Sequence, residues 1–192
     1  MYKVIYMTGA LAAGKSSTAA GLKTRVPDLQ VFEYGARLTA LATESRSQRL
    51  TQKEVRAKSA TIITKEHVEH LDEILINFCN TARERHHVLI DSHPVTKEQF
   101  GFRITAFSID QIKRIALSEI WVLYADSGET IRRIAADHGG RPIPTSWQAD
   151  FHTQIQANVA ATYGIATGVA VYLFDTSVPR AELLDTLLQR LK

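Results

Sequence analysis

Gly9-Ala10-Leu11-Ala12-Ala13-Gly14-Lys15-Ser16 has a glycine, four residues, then Gly-Lys-Ser, which is the spacing of a phosphate-binding loop. Its flanks agree. Tyr2 to Thr8 reads as a buried strand through Val4, Ile5, Tyr6 and Met7, and the alanine-rich stretch from Ser16 to Leu22 suits a helix. A strand that turns through glycines into a helix aims successive backbone N–H groups at bound phosphates, and the helix dipole favours their negative charge. In that geometry Lys15 reaches the outer phosphates, the Ser16 hydroxyl ligates magnesium, and Gly9, Ala10, Leu11, Ala12, Ala13, Gly14 and Ser17 complete the cradle. A chance match in a chain of 192 residues has odds on the order of one in a hundred at average residue usage, before the strand and helix are required.

Length and composition describe an ordinary globule, with 45% hydrophobic and 22% charged residues, and the chain reads as one domain over residues 1–192. A net charge of +3 is too small for a general nucleic-acid binder. The single cysteine, Cys79, lies among Ile74, Leu75, Ile76 and Phe78, so it permits no intramolecular disulfide and no cysteine-based zinc cluster, and it reads as core. No apolar run has membrane-spanning length and the chain starts with a strand, so the expectation is a cytoplasmic protein without a membrane partner.

Short apolar runs then alternate with helical stretches, the pattern of a parallel sheet covered on both faces. The strand candidates are Tyr2 to Thr8, Leu29 to Tyr34, Val88 to Asp91, Ile120 to Ala125 and Val169 to Phe174. Helical patterns run over about Ser16 to Arg25, Ala36 to Glu44, Gln52 to Glu84, Ser108 to Ala116, Thr130 to Asp137, Trp147 to Ala166 and Arg180 to Leu191. The expected fold is a three-layer α/β domain with a five-stranded parallel sheet. Gln52 to Glu84 is too long for a typical single helix and is expected to break near its middle.

Val88-Leu89-Ile90 runs straight into Asp91-Ser92-His93-Pro94. A carboxylate directly after a buried strand is costly unless it has work to do, and ligands of open α/β sheets collect at the carboxyl ends of the strands. Asp91 is therefore a candidate to hold magnesium or to orient the group that attacks a terminal phosphate; the competing reading is a cap of the next turn. His93 divides evenly between a structural hydrogen-bonding role and a base. A third cluster holds Arg132 and Arg133 on a helix, then His138-Gly139-Gly140-Arg141-Pro142. Paired glycines beside Arg141 suit a hinged lid over about 137–146, whose arginine would meet the charge of a migrating phosphoryl group. Arg132 and Arg133 point about 100° apart on a helix, so only one of them can serve it with Arg141.

These residues resemble the adenylate kinases of archaeal type. Ile90-Asp91-Ser92-His93 with Lys97 and Gly101 is similar to that family's Asp-Thr-His segment and its downstream lysine and glycine. Ala125-Asp126-Ser127-Gly128-Glu129 with Arg132-Arg133 is similar to its Ser-Gly-Asp/Glu helix with two arginines, and Ala160-Ala161-Thr162-Tyr163-Gly164 with Thr167-Gly168 to its Thr-Tyr-Gly segment. The resemblance implies a P-loop nucleoside-monophosphate kinase fold that uses ATP and Mg2+, with Arg133 and Arg141 in a lid and Asp91 beside the acceptor. It further implies an acceptor-binding helical region over about 35–85, which Tyr34, Gly35 and Arg37 open.

The chain departs from that family where the acceptor's phosphate is gripped, since the positions that match two arginines there are Thr39 and Val95. Arg37 and Arg103 are the nearest candidates to replace them, with His93 beside the same site. Two functional classes stay open: a kinase of a nucleoside monophosphate or related small acceptor, and an ATP-binding or ATPase module that acts as a conformational switch for a partner. A nucleic-acid end kinase ranks third on the weak net charge.

Overall fold

The computed structural model describes residues 2–44, 63–137 and 142–192. Five strands form the parallel sheet: β1 (Val4–Gly9), β2 (Gln30–Glu33), β3 (Val88–Asp91), β6 (Glu119–Tyr124) and β7 (Val171–Asp175), in the order β2-β3-β1-β6-β7. All six residues of β1 are buried, as an unbroken apolar run at the centre of a two-sided sheet requires.

Alternation along β1 divides the core. Val4 and Tyr6 face helices α2 (Tyr34–Glu44), α3 (Lys65–Ala82), α4 (Ile109–Ile115) and α6 (Ser146–Thr167), where Leu71, Leu75, Cys79, Ile112 and Tyr163 pack. Ile5 and Met7 face α1 (Lys15–Arg25) and α7 (Arg180–Leu191) through Leu22, Leu184 and Leu187. Helix α5 (Ser127–Ala136) follows β6 and packs beside α6. No helix among the described residues is long and apolar enough to cross a membrane.

Several boundaries differ from the sequence expectation for local reasons. Tyr34 opens α2 instead of closing β2. Strand β7 starts at Val171, two residues after its expected start, because α6 runs on to Gly168, whose φ of 72° ends it with an N–H donated to the Gly164 carbonyl. Helix α3 starts at Lys65, where the Thr64 hydroxyl accepts from the His67 N–H and the His67 ring accepts from the Thr64 N–H. The expected helix from Gln52 up to residue 62 lies outside the described residues.

One element was not expected from the sequence. After β3 the chain forms an antiparallel hairpin, β4 (Val95–Glu98) and β5 (Gly101–Ile104), joined through Gln99 and Phe100. Four-residue strands carry too little alternation to stand out, but Gly101, at φ 140°, marks the turn.

The topology fixes where a ligand can sit. The chain leaves β1 toward β2 on one side and leaves β3 toward β6 on the other, so the segments after these two paired strands diverge and open a crevice over their carboxyl ends. The opposite end is tied by Glu119, which accepts from Lys3 Nζ at 3.0 Å, Trp121 Nε1 at 2.9 Å and Arg190 Nε at 2.7 Å. Burial alone would raise the Glu119 carboxyl, but the bonds from Arg190, Trp121 and Lys3 outweigh it and hold it below its ordinary 4.5. A depressed carboxylate contributes stability above its ordinary range and loses it as pH falls through the folded value. Glu119→Gln is therefore predicted to cost about 1–3 kcal/mol at pH 7. Urea unfolding should show that gap closing as pH drops below 4.5, and a gap independent of pH would contradict this reading.

Candidate phosphate-transfer site

The segment 9–17 turns from β1 into α1 around two residues of left-handed backbone, Ala12 at φ 60° and Gly14 at φ 83°. Alternating backbone handedness of this kind turns consecutive N–H groups to one side, which makes a concave anion site. Gly9 is demanded by space, since a Cβ there would lie 2.4 Å from the Leu123 carbonyl oxygen of the adjoining strand. No acidic residue occupies the first turn of α1, and Lys23 and Arg25 occupy its last, as the dipole favours. Ala10 and Ala13 are buried under the loop, Leu11 is half-buried, and Ser16 and Ser17 are exposed, with the Ser17 hydroxyl donating to the Gly14 carbonyl at 2.9 Å.

Lys15 folds back over the loop, its Nζ donating to the carbonyls of Gly9 at 2.7 Å and Ala10 at 3.3 Å. Gly9 also accepts from Gln156 Nε2 on α6 at 3.1 Å, so its carbonyl keeps a partner when Lys15 moves to a phosphate. Gln156 is fully buried, and its Oε1 has no hydrogen-bond partner among the described residues, while Tyr6 and Thr8 of β1 are fully buried as well. An unpartnered oxygen on the side chain whose Nε2 holds the Gly9 carbonyl leaves a buried acceptor beside the phosphate loop.

Asp91 ends β3 in register with Met7 on one side and Glu33 on the other. Burial pushes its carboxyl up, the Lys15 charge pulls it down, and Glu33 raises it again, with a net upward shift. A carboxylate near a phosphate-loop lysine, made more basic than usual, suits proton acceptance from an attacking hydroxyl. For magnesium, Ser16 and Asp91 supply one hydroxyl and one carboxylate, and no cluster of three or more His, Cys, Asp or Glu among the described residues could hold a metal alone. That fits Mg2+ carried in on substrate phosphates, which needs one or two protein ligands.

The other expected site residues are placed less uniformly. His93 is exposed and comes near Gly35, its Cε1 lying 3.4 Å from where a Cβ would stand, so these two converge at the crevice. Tyr34, expected to face the acceptor, donates its hydroxyl to Asp72 at 2.6 Å; Asp72 also accepts from Gln111 Nε2 at 2.8 Å. Burial drives the Asp72 carboxyl up to about 6 despite both bonds. Arg37 lies over the Phe32 ring at 4.4 Å, because a weakly hydrated guanidinium gains more there than in open solvent. Arg103, on β5, pairs with Glu98 of β4 at 3.1 Å. Thr39 donates its hydroxyl to the Gly35 carbonyl at 2.9 Å, and Val95 is buried.

Arg133, expected in the lid, is bonded to the phosphate loop. Its guanidinium braces the back of the loop, donating to the Ala12 carbonyl at 3.1 Å, Thr176 Oγ1 at 2.9 Å and the Thr176 carbonyl at 2.6 Å, while Glu129 accepts from its Nε at 2.7 Å. Arg132 is exposed and bonds Glu129, whose carboxyl the two arginines hold down at about 2. Arg141 and residues 138–140 of the expected lid lie outside the described residues.

Gln156, Thr176 and His152 were missed in the sequence. His152, one turn before Gln156, shares a hydrogen bond of 3.0 Å with the Val95 carbonyl, which fastens the hairpin to α6. Burial lowers the His152 ring's basicity, the Val95 carbonyl opposes this, and the Lys15 and Lys97 charges lower it further. The signal was present as polar residues four apart on an otherwise apolar face holding Ala149, Ala160 and Tyr163.

Comparison with known proteins agrees with this geometry. The AAA_17 family, described as an AAA domain, matches residues 8–165. No curated protein matches the sequence. Among solved structures, shikimate kinase from Acinetobacter baumannii in complex with shikimate is similar at 13% identity and a TM-score of 0.60, over 99% of this chain and 93% of that one. The YorR protein of Bacillus subtilis, in complex with phosphorylated GDP, has 16% identity and a TM-score of 0.60 over 97% and 94%. A gluconokinase from Sinorhizobium meliloti 1021 has 15% identity and a TM-score of 0.52 over 98% and 91%. Likeness at these identities establishes the P-loop kinase fold.

Arg133→Met is predicted to lower stability by about 1–3 kcal/mol, since it leaves carbonyls of Ala12 and Thr176 without their donor, and to weaken ATP binding about tenfold or more. Thermal unfolding and calorimetric titration check both; normal ATP affinity would show that the brace does not shape the loop.

Proposed function

We propose that this chain, which belongs to the P-loop kinase-like AAA_17 family, is an ATP-dependent phosphotransferase acting on a small-molecule acceptor. The observation that carries the proposal is the placement of the loop lysine and a carboxylate at the carboxyl ends of two paired strands: Lys15 follows β1 and Asp91 closes β3, in register with Met7, with the Lys15 charge acting on a carboxyl that burial raises. Asp91 orients the acceptor and takes its proton. Oxygen attacks the terminal phosphorus, the bond to the departing ADP oxygen breaks, and Lys15 follows the charge as it moves. Ser16, with Asp91 near, would hold magnesium brought in on the substrate phosphates, and the ion would supply charge neutralisation for the transferring group.

The region over about 35–85 and the lid over about 137–146, with Arg141, are assigned to acceptor binding and closure. The resemblance to adenylate kinases makes AMP the first monophosphate to test. The commitment of Arg37 to Phe32, Arg103 to Glu98 and Arg133 to the loop favours a second reading, an ATP-binding or ATPase switch that phosphorylates no small acceptor.

Nucleoside monophosphates, nucleosides and small alcohols offered with ATP and magnesium should divide these readings. Phosphorylated product above the rate of ATP loss to water supports the kinase, and ATP loss without product for every acceptor supports the switch. Lys15→Ala is predicted to abolish turnover while the far-ultraviolet circular dichroism stays that of the parent. Asp91→Asn should cut kcat by about two orders of magnitude or more with ATP affinity retained. A kcat within twofold of the parent for Asp91→Asn would remove Asp91 from the chemistry.

A further inference from the structure

Asp72, on α3, is 2% exposed and lies outside the chemistry assigned to Asp91. Donors from two other helices take both of its oxygens. The Tyr34 hydroxyl, at the start of α2, donates to Oδ1 at 2.6 Å, and Gln111 Nε2, on α4, donates to Oδ2 at 2.8 Å. Gln111 is fixed in turn, because its Oε1 accepts from the Ser108 N–H at 2.8 Å and caps α4. One carboxylate thus joins three helices. The grip on Tyr34 continues toward β1: its ring meets Phe107 edge-on at 5.4 Å, the Phe107 N–H donates to the Tyr163 hydroxyl at 2.7 Å, and Tyr163 meets Tyr6 edge-on at 5.5 Å.

Tyr34 carries one wall of the crevice. It follows Glu33, the register partner of Asp91, so the first turn of α2 begins one residue past the strand end that adjoins Asp91. Gly35, next in the chain, stands so near His93 that a Cβ would lie 3.4 Å from the His93 Cε1. Adjacent strands lie only about 5 Å apart, so any shift of that turn changes the space beside Asp91.

The groups that act on Asp72 are Tyr34 from α2, Gln111 from α4, and Glu73 and Glu69 on α3 itself; Tyr163 of α6 feels its charge. Arg114 of α4 is committed to Glu73, at 2.6 and 2.7 Å. Burial drives the Asp72 carboxyl up to about 6, the bonds from Tyr34 and Gln111 oppose it, and the two glutamates add to it. Since that value lies above the ordinary 3.8, ionised Asp72 costs the fold stability above about pH 6, and the cost is gone below 3.8. The ionised form nevertheless holds its donors best, because charge-assisted hydrogen bonds are about twice as strong as neutral ones. Protonation turns one oxygen into a donor facing another donor, and a buried hydrogen loses its acceptor. Stability and clamping pull in opposite directions here, as expected of a side chain kept for geometry.

We propose that Asp72 is a positioning residue for the acceptor: as a carboxylate it clamps the first turn of α2 to α4 and so fixes the wall that Gly35 and His93 make beside Asp91. The clamp stands without the kinase reading, and its effect on an acceptor rests on that reading.

The test uses the full chain and two variants, Asp72→Asn, which keeps the shape and removes the charge, and Tyr34→Phe, which keeps the charge and removes a donor. Amide exchange reads the clamp at residues 38–41, whose N–H groups bond the carbonyls of the first turn of α2. Protection there should fall about tenfold in the parent from pH 7 to pH 5, and should be low at both in Asp72→Asn. In urea, the unfolding constant of the parent relative to that of Asp72→Asn should rise about fiftyfold between pH 4 and pH 7, a gain that Tyr34→Phe does not share. With ATP, magnesium and whichever of AMP, adenosine, shikimate or gluconate is phosphorylated, each variant should raise the acceptor KM about tenfold at pH 7, with the ATP KM within about twofold of the parent. The double variant should raise it no further. The parent's acceptor KM should climb as pH falls through about 6, a rise absent from Asp72→Asn.

Parent-like protection at 38–41 in both variants, or protection in the parent that is the same at pH 5 and pH 7, overturns the clamp. Product formed with an unmoved acceptor KM keeps the kinase and overturns the positioning role, as does a KM for ATP that rises in step with that for the acceptor. ATP loss without product from every acceptor sinks the kinase reading, and the exchange measurement then decides the clamp by itself.

Discussion

The carbonyl of Gly9 is the point on which the site turns. It accepts from Lys15 and from Gln156 at once, while the glycine itself is pressed so close to Leu123 that no side chain fits. The loop lysine is thus held ready against its own backbone, and a buried amide from α6 secures the carbonyl once the lysine leaves. The same bond ties α6 to the end of β1, so the helix that frames the acceptor side takes its position from the phosphate loop.

Around that point, charged side chains among the described residues hold one another in place. Arg133 fixes the loop from behind through Ala12 and Thr176, and Glu129 between Arg132 and Arg133 keeps both guanidinium groups oriented. Carboxylates at Glu33 and Asp91 stand in register, and the Glu33 charge adds to the burial that raises the Asp91 carboxyl.

The parts of this arrangement written locally were legible in the sequence. The loop at 9–16 needs its residues in fixed order, and an aspartate ending an apolar strand stands out, so both could be placed before any fold was known. The parallel sheet followed from runs such as Val88-Leu89-Ile90. What could not be read depends on tertiary partners. The brace made by Arg133 needs Thr176, 43 residues away, and Gln156 is 147 residues from Gly9. The hairpin was hidden because its strands are four residues each, and the bond from the Tyr34 hydroxyl to Asp72 spans 38 residues. Two arginines taken for phosphate ligands are held by neighbours a sequence does not show, an aromatic ring for Arg37 and a glutamate for Arg103.

Amide hydrogen exchange with and without a non-hydrolysable ATP analogue and magnesium tests the central claim most directly, because it reads the loop residue by residue without requiring turnover or a known acceptor. The account predicts strong added protection across residues 9–17, with weaker protection on α6 around Gln156 as its amide becomes the principal partner of the Gly9 carbonyl. Unchanged exchange across 9–17 at saturating analogue, or protection confined to another surface, would contradict it.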